Sequence, residues 1–403
     1  MAEVTNYIDR LVAELCPDGV EYRPLESLGK RNKGTAITAS KMRSLEPGNK
    51  DLRIFAAGST FVDTDSSNIP AKDILHGPAI IVKSRGYIGF EYYEKSFTHK
   101  NEMWSYTLDS NIVNQKFIYY YLLTQAYYLQ EIARSKSVKL PQLSVKDTDS
   151  LEVPVPPLEI QEAIVEILDK FTNLEAELEA ELEARTLQYE YYRDSLFEAL
   201  DCPRVPLGSF AQLVRGSGMP KTDFSESGVG AIHYGQIYTK FGTATAEVIA
   251  HVPEDKAKKL AVVNPGDVIV ANTSENLEDV CKAVAWVGDS DIVTGGHATV
   301  IKAPEQNAKF ISYYMATGQF NKDKRRHAFG TKVIDVAPKN LAKIEFPLPP
   351  LEEQQRIVDI LDRFDALTTS LSEGLPAELA ARRSQYEYYR DQLLTFPRKG
   401  ENQ

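Results

Sequence analysis

Residue sets that could perform catalysis are rare in this 403-residue sequence. It contains no Gly-x-x-x-x-Gly-Lys-Ser/Thr phosphate loop, no nucleophile elbow and no Asp/Asn-Pro-Pro-Tyr/Phe segment of the type that binds adenine in amino-methyltransferases. The six histidines lack metal-ligand spacing, and Gly216-Ser217-Gly218 is too short for a phosphate cradle and predicts a turn. Glu254-Asp255-Lys256 fits the acidic-x-Lys fragment of many nucleases, but such triplets arise by chance in most chains of this length. The sequence therefore predicts no catalytic residue, no metal site and no cofactor in this chain.

Basic side chains occur at matching places in the two halves of the chain. Each group follows a segment of helical character, and Lys139 coincides with Lys332 at an offset of 193 residues. The two groups are Arg134, Lys136 and Lys139, and Lys322, Lys324, Arg325, Arg326 and Lys332. Such residues bind phosphates, and arginine also reaches guanine edges. A solvated helix C-terminus is the alternative, since the helix dipole favours positive charge there. The recurrence in both halves favours DNA contact.

An internal repeat underlies this match. Residues 154–171 and 347–364 are identical at 12 of 18 positions. Further along, Gln-Tyr-Glu-Tyr-Tyr-Arg-Asp occurs at 188–194 and again at 385–391, and the larger offset gives the second copy four more residues. The segment after Asp9 resembles the continuation of the first copy, which the second copy lacks. The order is globular unit, helix, globular unit, helix, as in a closed two-fold ring cut at one point.

The repeated segments predict two long helices, because a proline pair precedes an amphipathic pattern in each. Within the first, the tract 174–184 repeats Leu-Glu-Ala-Glu almost three times, and these are strong helix formers. Gly374 and Pro376 predict a stop and restart in the second. Two such apolar stripes pack most simply as an antiparallel pair. A dimerisation coiled coil without a further role is the alternative. The stripe residues of the tract are Leu174, Leu178 and Leu182.

The tyrosine-rich motif that closes each helix has three aromatic residues, an arginine and a glutamine within seven positions. This composition fits packing between the helices, and it also fits a protein-binding patch. Tyr119-Tyr120-Tyr121, by contrast, predicts packing within a helix. The candidate contacts to a partner subunit or within the helix pair are Gln161, Gln188, Tyr189, Tyr191, Tyr192, Arg193, Gln354, Gln385, Tyr386, Tyr388, Tyr389 and Arg390.

The segments between the helices combine short strands with one late helix, which predicts α/β or α+β units. Strands are expected within 77–94 and 265–274, and matching helices at 114–132 and 307–324. Their middles share little sequence, which suggests two sites that do the same job on different targets. We therefore predict four regions. They are a globular domain at 1–152 with a short N-terminal helix that completes the ring, a helix at 153–200, a second globular domain at 201–345, and a helix with its tail at 346–403.

The net charge of −11 is unevenly distributed. Residues 153–200 have 3 basic and 12 acidic side chains, a net charge of −9, whereas the two predicted domains are close to neutral. The overall acidity is therefore no argument against nucleic acid. The three cysteines are widely spaced and form no Cys-x-x-Cys pair, which is typical of free thiols in a reducing cytoplasm. No apolar run approaches the ~20 residues of a membrane span, and the start does not read as a signal peptide.

The motif Pro-Pro-Leu-Glu-x-Gln-x-x-Ile-Val-x-Ile-Leu-Asp, present twice, with Gln-Tyr-Glu-Tyr-Tyr-Arg-Asp closing each helix, resembles the DNA-specificity subunit of Type I restriction–modification systems. The resemblance covers essentially the whole chain: its length, the order of its segments and its circular repeat. The strand pattern around 266–270 agrees with it. A Gly-Leu-Pro-Ala-Glu element that is frequent in this family stands at 374–378, but the Leu-Glu-Ala-Glu tract replaces it in the first helix.

The resemblance implies a subunit without catalytic activity. It would contain two target-recognition domains, each of which reads half of a split, asymmetric site in double-stranded DNA. Two modification subunits that bind S-adenosylmethionine and methylate adenine would bind to it, and two restriction subunits that use ATP and Mg would join them. Short repeats in the central helix are associated with spacer length in this family, so Leu174, Leu178 and Leu182 would belong to a spacer ruler.

Two alternatives remain open at this level. One is a coiled-coil scaffold that binds only protein, and DNA binding by the assembled complex would exclude it. The other is a self-sufficient DNA enzyme, whose expected cofactor loop or metal cluster is missing from the sequence.

Overall fold

The computed structural model of the chain describes residues 2–45, 50–137, 139–368 and 374–400. The chain divides into two compact units. Unit 1 consists of residues 1–176 and 381–403, and unit 2 consists of residues 177–380.

Unit 1 mixes short strands with helices. Its elements, in chain order, are α1 (Ala2–Leu15), β1 (Tyr22–Pro24), β2 (Gly29–Lys33), α2 (Ala39–Arg43), β3 (Leu52–Phe55), β4 (Phe61–Thr64), β5 (Leu75–His76), β6 (Ala79–Lys83), β7 (Gly89–Tyr93), β8 (Ser96–His99), β9 (Trp104–Leu108), α3 (Gln115–Thr124), α4 (Ala126–Lys136), α5 (Val145–Asp149) and β10 (Glu152–Pro154). The 41-residue helix α6 (Leu158–Glu198) begins in unit 1 and ends in unit 2.

Unit 2 has a similar order of elements. They are β11 (Arg204–Pro206), β12 (Gln212–Arg215), β13 (Val229–Ile232), α7 (Tyr234–Thr239), β14 (Ala244–Thr245), β15 (Ala250–Val252), α8 (Glu254–Ala257), β16 (Ala261–Val263), β17 (Val268–Ala271), β18 (Thr273–Ser274), β19 (Ala283–Trp286), β20 (Ile292–Thr294), β21 (Ala298–Lys302), α9 (Ala308–Met315), α10 (Gly318–Arg325), β22 (Ile334–Asp335), α11 (Pro338–Leu341), β23 (Glu345–Pro347) and α12 (Leu351–Thr368). The last helix, α13 (Gly374–Leu393), begins in unit 2 and ends in unit 1.

The central sheet of each unit is built around one fully buried strand. In unit 1 the sheet order is β2-β9-β6-β7, and residues 79–82 of β6 are 0% exposed. In unit 2 the order is β12-β21-β17-β19-β14, and β17 is equally buried. Both strands are continuous apolar runs, which is the pattern of a strand covered on both faces. A second sheet in each unit contains one parallel pair, β3 with β8 and β13 with β20. The predicted mixture of helices and strands in two units is confirmed.

The helix predicted over 114–132 is divided in the structure, and so is its counterpart over 307–324. The first breaks at Gln125, between α3 and α4. The second breaks at Thr317, whose hydroxyl accepts a hydrogen bond from the backbone N–H of Phe320 at 3.2 Å. A threonine that caps a new helix competes with continuation of the old one. The sequence pattern therefore located these segments correctly but missed the break.

The two ends of the chain pair with each other in unit 1, as the circular repeat predicts. The backbone N–H of Val20 donates to the carbonyl of Pro397 at 2.8 Å, and the N–H of Lys399 donates to the carbonyl of Val20 at 3.0 Å. Phe396 lies in the core of unit 1. In unit 2, Phe197 from the end of α6 lies in the core in the same way. The end of each long helix thus belongs to a globular unit.

The second long helix is interrupted near the predicted position. Helix α12 has its last residue at Thr368 and α13 begins at Gly374, while residues 369–373 lie outside the described residues. Within unit 1, α6 and α13 run antiparallel. Phe171 stacks on Tyr389, and further along α6 Glu175 pairs with Arg383 at 2.6 Å.

Candidate nucleic-acid interface

The central sheet of each unit has two ends that differ in composition. At the helix end, β6 begins and β9 finishes next to the start of α6, and the equivalent strands of unit 2 lie beside the residues that contact α12. At the opposite end, which we call the loop end, the segments that precede or follow the same strands come together. The loop end consists of residues 34–35, 84–87, 100–102 and 139–143 in unit 1 and of residues 216–219, 272–281, 295–297 and 329–336 in unit 2.

A buried glutamine attaches the long helix to the helix end of unit 1. Gln161 is 0% exposed. Its side-chain oxygen accepts from the backbone N–H of Asn114 at 2.7 Å, and its amide nitrogen donates to the carbonyl of Pro156 at 2.7 Å. Asn114 itself caps the first turn of α3. Gln161 therefore binds the start of α6 to the start of α3.

The same attachment recurs in unit 2. Gln354 is 0% exposed, accepts from the backbone N–H of Asn307 at 3.0 Å and donates to the carbonyl of Pro349 at 2.9 Å. Asn307 caps α9 as Asn114 caps α3. The prediction that Gln161 and Gln354 contact a partner subunit or the other helix is thus wrong. The side chains of both glutamines form these hydrogen bonds within their own unit.

A second contact of the helix end is also repeated. Asp169 of α6 accepts from the Tyr120 hydroxyl at 2.5 Å and pairs with Lys116 at 2.8 Å. In unit 2 Asp362 of α12 accepts from Tyr313 at 2.7 Å and pairs with Lys309 at 2.8 Å. Burial, followed by the contact with the carboxylate, raises the pKa of Tyr120 well above its ordinary value. The phenol therefore stays protonated and donates, which fixes the helix to the unit at any ordinary pH.

The first tyrosine of each tyrosine-rich motif is a packing residue. Tyr189 is 6% exposed, and Tyr386 is partly buried against the core of unit 1. Burial raises the pKa of Tyr386 to about 12. An arginine four residues later, Arg193 or Arg390, lies 5.6 Å from the ring centre of its tyrosine. Each arginine also pairs with the aspartate next to it, at 2.9 Å and 2.8 Å.

The third tyrosine of each motif contacts the other helix, whereas the middle one is exposed. Tyr192 stacks on Phe364 with ring centres 5.6 Å apart, and Tyr389 stacks on Phe171 at 5.8 Å. The middle residues, Tyr191 and Tyr388, are 69% and 58% exposed. Gln188 and Gln385 each accept a hydrogen bond from an arginine of their own helix. The motif therefore divides into helix-pair contacts and an exposed aromatic residue.

The leucines of the repeated tract lie on a continuous helix. Leu174 is 37% exposed, and Leu178 and Leu182 are half-buried. The tract has no break in helix α6. The stripe is thus present but incompletely covered along this stretch.

The basic group of unit 1 lies at or beside the loop end. Arg134 is exposed and pairs with Glu131 at 2.5 Å, one turn away. Lys136 pairs with Asp147, whose carboxylate forms a capping box with the N-cap residue Ser144 of α5. Lys139 is exposed. The ion pairs of Arg134 and Lys136 lie at the surface, where such a pair is worth ~1 kcal/mol or less, so both cations can exchange their partner for a phosphate.

The basic group of unit 2 occupies the equivalent place. Lys322 and Lys332 are exposed. Arg325 approaches Glu278 at 3.7 Å and Arg326 approaches Asp323 at 3.5 Å, and their side chains are 59% and 78% exposed. All four ammonium or guanidinium groups therefore face solvent at the same end of the unit as the loop segments.

Lys324 is a correction to the predicted set. It is 2% exposed, and its ammonium donates to the carbonyls of Glu278 and Val280 at 2.8 and 2.7 Å. Burial lowers the pKa of this ammonium. The side chain holds the segment 272–281 in place and has no surface to offer a phosphate. Its position in a basic run concealed this role, which only the tertiary fold determines.

Several loop-end residues were missed by sequence reasoning. Arg85 donates to the side chain of Gln142 at 3.1 Å, which joins the turn after β6 to the segment that contains Lys139. Tyr87, at the tip of this turn, is 81% exposed, and Phe329 in unit 2 is 65% exposed. No motif marks these residues, because only the pairing of distant segments brings them beside the cations.

Within the described ranges, no group of three or more His, Cys, Asp or Glu side chains is placed to hold a metal ion. No helix of the described part of the chain is long and apolar enough to cross a membrane. Lys256 of the nuclease-like triplet pairs with Asp223 at 3.2 Å.

Comparison with known proteins identifies the family. The model of the Type I restriction modification DNA specificity domain matches residues 17–184 and again residues 204–381. The EcoR124I/EcoR124II type I restriction enzyme specificity subunit of Escherichia coli is 33% identical over 423 residues, which cover 98% of each chain. A putative type I restriction enzyme specificity subunit of Haemophilus influenzae is 28% identical over 295 residues, which cover 70% of this chain and 73% of that protein.

The fold agrees. The crystal structure of the Type I restriction–modification system S subunit from M. genitalium superposes with a TM-score of 0.55 at 15% identity, over 93% of this chain and 96% of that chain. Two matches to the family model, a relative that is aligned from end to end and a shared fold lead to one conclusion. This chain belongs to the family of Type I restriction–modification DNA specificity subunits.

Proposed function

We propose that this chain reads a bipartite, asymmetric site in double-stranded DNA and directs partner methyltransferase and restriction subunits to that site. Residues 1–152 and 201–345 act as the two target-recognition domains, and the segments 153–200 and 346–403 connect them. The chain has no catalytic activity of its own. The partners supply it and use S-adenosylmethionine, ATP and Mg, in the cytoplasm.

The observation that most supports this proposal is the contrast between the two ends of each unit. The helix end repeats the same hydrogen bonds in both units, through Gln161 and Gln354. The loop end has exposed cations in both units at equivalent places, such as Lys139 and Lys332. Cations bind any phosphate backbone, and differing side chains among them read different bases. A repeated frame with diverged loops is what a reader of two unlike half-sites requires.

The two exposed tyrosines support two identical partners. Tyr191 and Tyr388 occupy the same position of a repeated motif, and both are exposed. The tyrosine that follows each of them stacks on an aromatic residue of the other helix. Exposed tyrosines are typical of protein interfaces, since they bury a large area at low entropic cost. A repeated patch on one chain fits one copy of a methyltransferase subunit at each position, and one restriction subunit with each of them.

The test is co-expression with the neighbouring methyltransferase subunit in a host without other adenine methylation, followed by methylome sequencing. We expect a single bipartite motif with two unlike halves and a fixed spacer. The purified chain alone, given S-adenosylmethionine, should neither methylate nor cleave DNA. Methyl transfer by the chain alone, or a methylated motif with only one specific half, would contradict the proposal.

A protein-only scaffold is the competing function. It predicts that the partner subunits bind DNA equally well with and without this chain. The proposal predicts sequence-specific binding that weakens steeply with salt, because phosphate contacts release counterions. Family membership and the exposed cations of both loop ends favour the DNA reader.

A further inference from the structure

Non-glycine residues with left-handed backbone are concentrated at one place in the described part of the chain. They are Lys50, Met219, Cys281 and His297, with φ angles of 53°, 65°, 66° and 66°. The last three all belong to the loop end of unit 2. Residues with side chains rarely adopt this conformation, and clusters of residues that do so are commonly found at functional sites.

His297 ends the short turn that joins β20 to β21. The turn is held by backbone contacts on both sides. The N–H of Gly296 donates to the carbonyl of Gly218 at 2.7 Å, and the N–H of Asn272 donates to the carbonyl of His297 at 2.7 Å. At Gly295 a side chain would come within 2.2 Å of the Cβ atom of Met219. The backbone at this turn is therefore fixed, and His297 has to accept the conformation it imposes.

The imidazole of His297 is both oriented and exposed. Its Nδ1 lies 3.1 Å from the hydroxyl of Thr273, which is 8% exposed, and the ring of Tyr234 lies 5.1 Å away. The residue as a whole is exposed. With the Thr273 hydroxyl at Nδ1, Nε2 is the ring nitrogen that is left for a further partner. The ring is therefore held in one orientation within the loop end of unit 2.

Stability alone does not account for a histidine at this position. Glycine adopts a φ of 66° without steric strain, and the two residues before it are already glycines. His297 has a strained backbone, and its exposed side chain is hydrogen-bonded to a buried threonine. Binding of a ligand explains this combination better than packing does. Because the loop end is the proposed DNA interface, the ligand that fits is the edge of a base.

We propose that His297 contacts a base edge in the half-site that unit 2 reads, with Thr273 as the positioning residue that orients the imidazole. This inference rests on the proposed function. With Nδ1 accepting from the Thr273 hydroxyl, Nε2 bears the hydrogen and donates to an acceptor in the major groove, such as N7 of a purine.

The decisive variant is His297→Gly in the complex co-expressed with the methyltransferase subunit. Glycine keeps the backbone and relieves its strain, so the thermal unfolding midpoint should not fall. In methylome sequencing we expect discrimination at one base pair of one half-site to relax by roughly tenfold to a hundredfold. The other half-site and the spacer should stay unchanged. Thr273→Val should relax the same base pair more weakly, since the imidazole remains but is no longer held.

The control is His251→Gln, which changes a histidine in strand β15 of the same unit and should leave the motif intact. If wild-type complex methylates a bipartite motif and His297→Gly methylates the identical motif with equal stringency, His297 is not a reader. If relaxation is spread over both half-sites, the residue acts on the complex as a whole and the inference is also wrong. A wild-type complex that methylates no bipartite motif would instead contradict the proposed function itself.

Discussion

The helix ends of unit 1 and unit 2 are built from the same contacts, whereas their loop ends are not. A buried glutamine, an aspartate with its tyrosine and lysine, and an asparagine cap recur in both units with nearly the same distances. At the loop end, the turn before the last strand of the central sheet has an ion pair of Lys100 with Glu102 at 2.5 Å in unit 1 and the strained His297 in unit 2.

The side of the sheet that faces α3 or α9 has also diverged. Tyr119 of unit 1 packs against Tyr92, with ring centres 5.7 Å apart. Its counterpart in unit 2 is Ser312, whose hydroxyl donates to the carbonyl of Thr243 at 2.7 Å and borders a cavity of about 300 Å³. Two large rings and a small hydroxyl beside a cavity occupy equivalent places. The packing between the central sheet and this helix can therefore differ between the units as long as the contacts that attach the long helix are kept.

This difference teaches which contacts are general and which are particular. Contacts that attach a unit to its long helix have to be the same, because they place both units in one repeated frame. Contacts at the loop end are released from this constraint and can differ. The comparison predicts that exchanging loop-end residues changes what is read, while breaking helix-end contacts changes stability by the same amount in both units.

The largest effect is expected from exchange of one whole recognition region. Replacing residues 30–130 by the equivalent part of a relative should change one half of the methylated motif completely and leave the other half as it was. The exchanged segment contains the loop-end turns 84–87 and 100–102. Gln161 lies outside it, and Asn114 inside it contributes a backbone N–H to the Gln161 hydrogen bond, which any residue except proline can supply. Methylome sequencing is the measurement. A change in both halves, or in neither, would contradict modular reading.

The next effect tests whether the two helix ends are equivalent. Gln161→Leu and Gln354→Leu each remove the side-chain partner of a half-buried backbone N–H and of a buried carbonyl, at ~1–3 kcal/mol each. We expect each variant to lower the free energy of unfolding of its own unit by about 3 kcal/mol, measured by denaturant titration. Hydrogen exchange would assign the loss to unit 1 or unit 2.

Gln355→Leu is the matched control, because this neighbouring glutamine is exposed and its hydrogen bonds with the side chains of Asn307 and Asp359 lie at the surface. It should change the free energy of unfolding by less than about 1 kcal/mol. A large loss in one unit and none in the other would mean that the repeated hydrogen bonds do not have a repeated role.

The sequence predicted the order and type of the structural elements far better than the residues of the loop end and the helix end. The repeat, the long helices, the ring closure and the mixed units all follow from periodicity and identity, which local physics determines. Gln161, Gln354 and Lys324 were misplaced for one reason: their types suit a surface, and only the tertiary fold buries them. His297 was invisible in the sequence, because a left-handed backbone at a turn depends on contacts from residues 216–219 and 272, far away in the chain.

A smaller effect is expected from the cations of the loop ends. Charge reversal at Lys139, at Lys332, or at Arg325 together with Arg326 should weaken DNA binding by the assembled complex. Each lost phosphate contact should reduce the salt slope of binding by roughly 0.9. Lys170→Glu is the control, since Lys170 is an exposed lysine on α6 that pairs with Glu166. Unchanged affinity and slope would make these residues ordinary solvated helix ends. A change at Lys139 without one at Lys332 would break the equivalence of the loop ends.

The smallest expected effect concerns the tract at 174–184, which lies within the unbroken helix α6. If helix length sets the gap between half-sites, inserting one Leu-Glu-Ala-Glu unit adds ~6 Å of helix at ~1.5 Å per residue. The same four residues turn the helix by about 400°, so the stripe of Leu174, Leu178 and Leu182 stays nearly in register. One base pair adds ~3.4 Å along the duplex. We therefore expect both half-site sequences to stay intact while the spacer grows by one base pair, or at most two.

A three-residue insertion at the same place is the control for this experiment. It lengthens the helix by ~4.5 Å but turns it by about 300°, which rotates the stripe by roughly 60° away from its neighbours. It should therefore cost more stability and activity than the four-residue unit, although it changes the length less. Methylome sequencing of strains with each insertion separates the two effects. An unchanged spacer with full activity after the four-residue insertion would mean that α6 is not the ruler, and that the gap between half-sites is set within the recognition domains themselves.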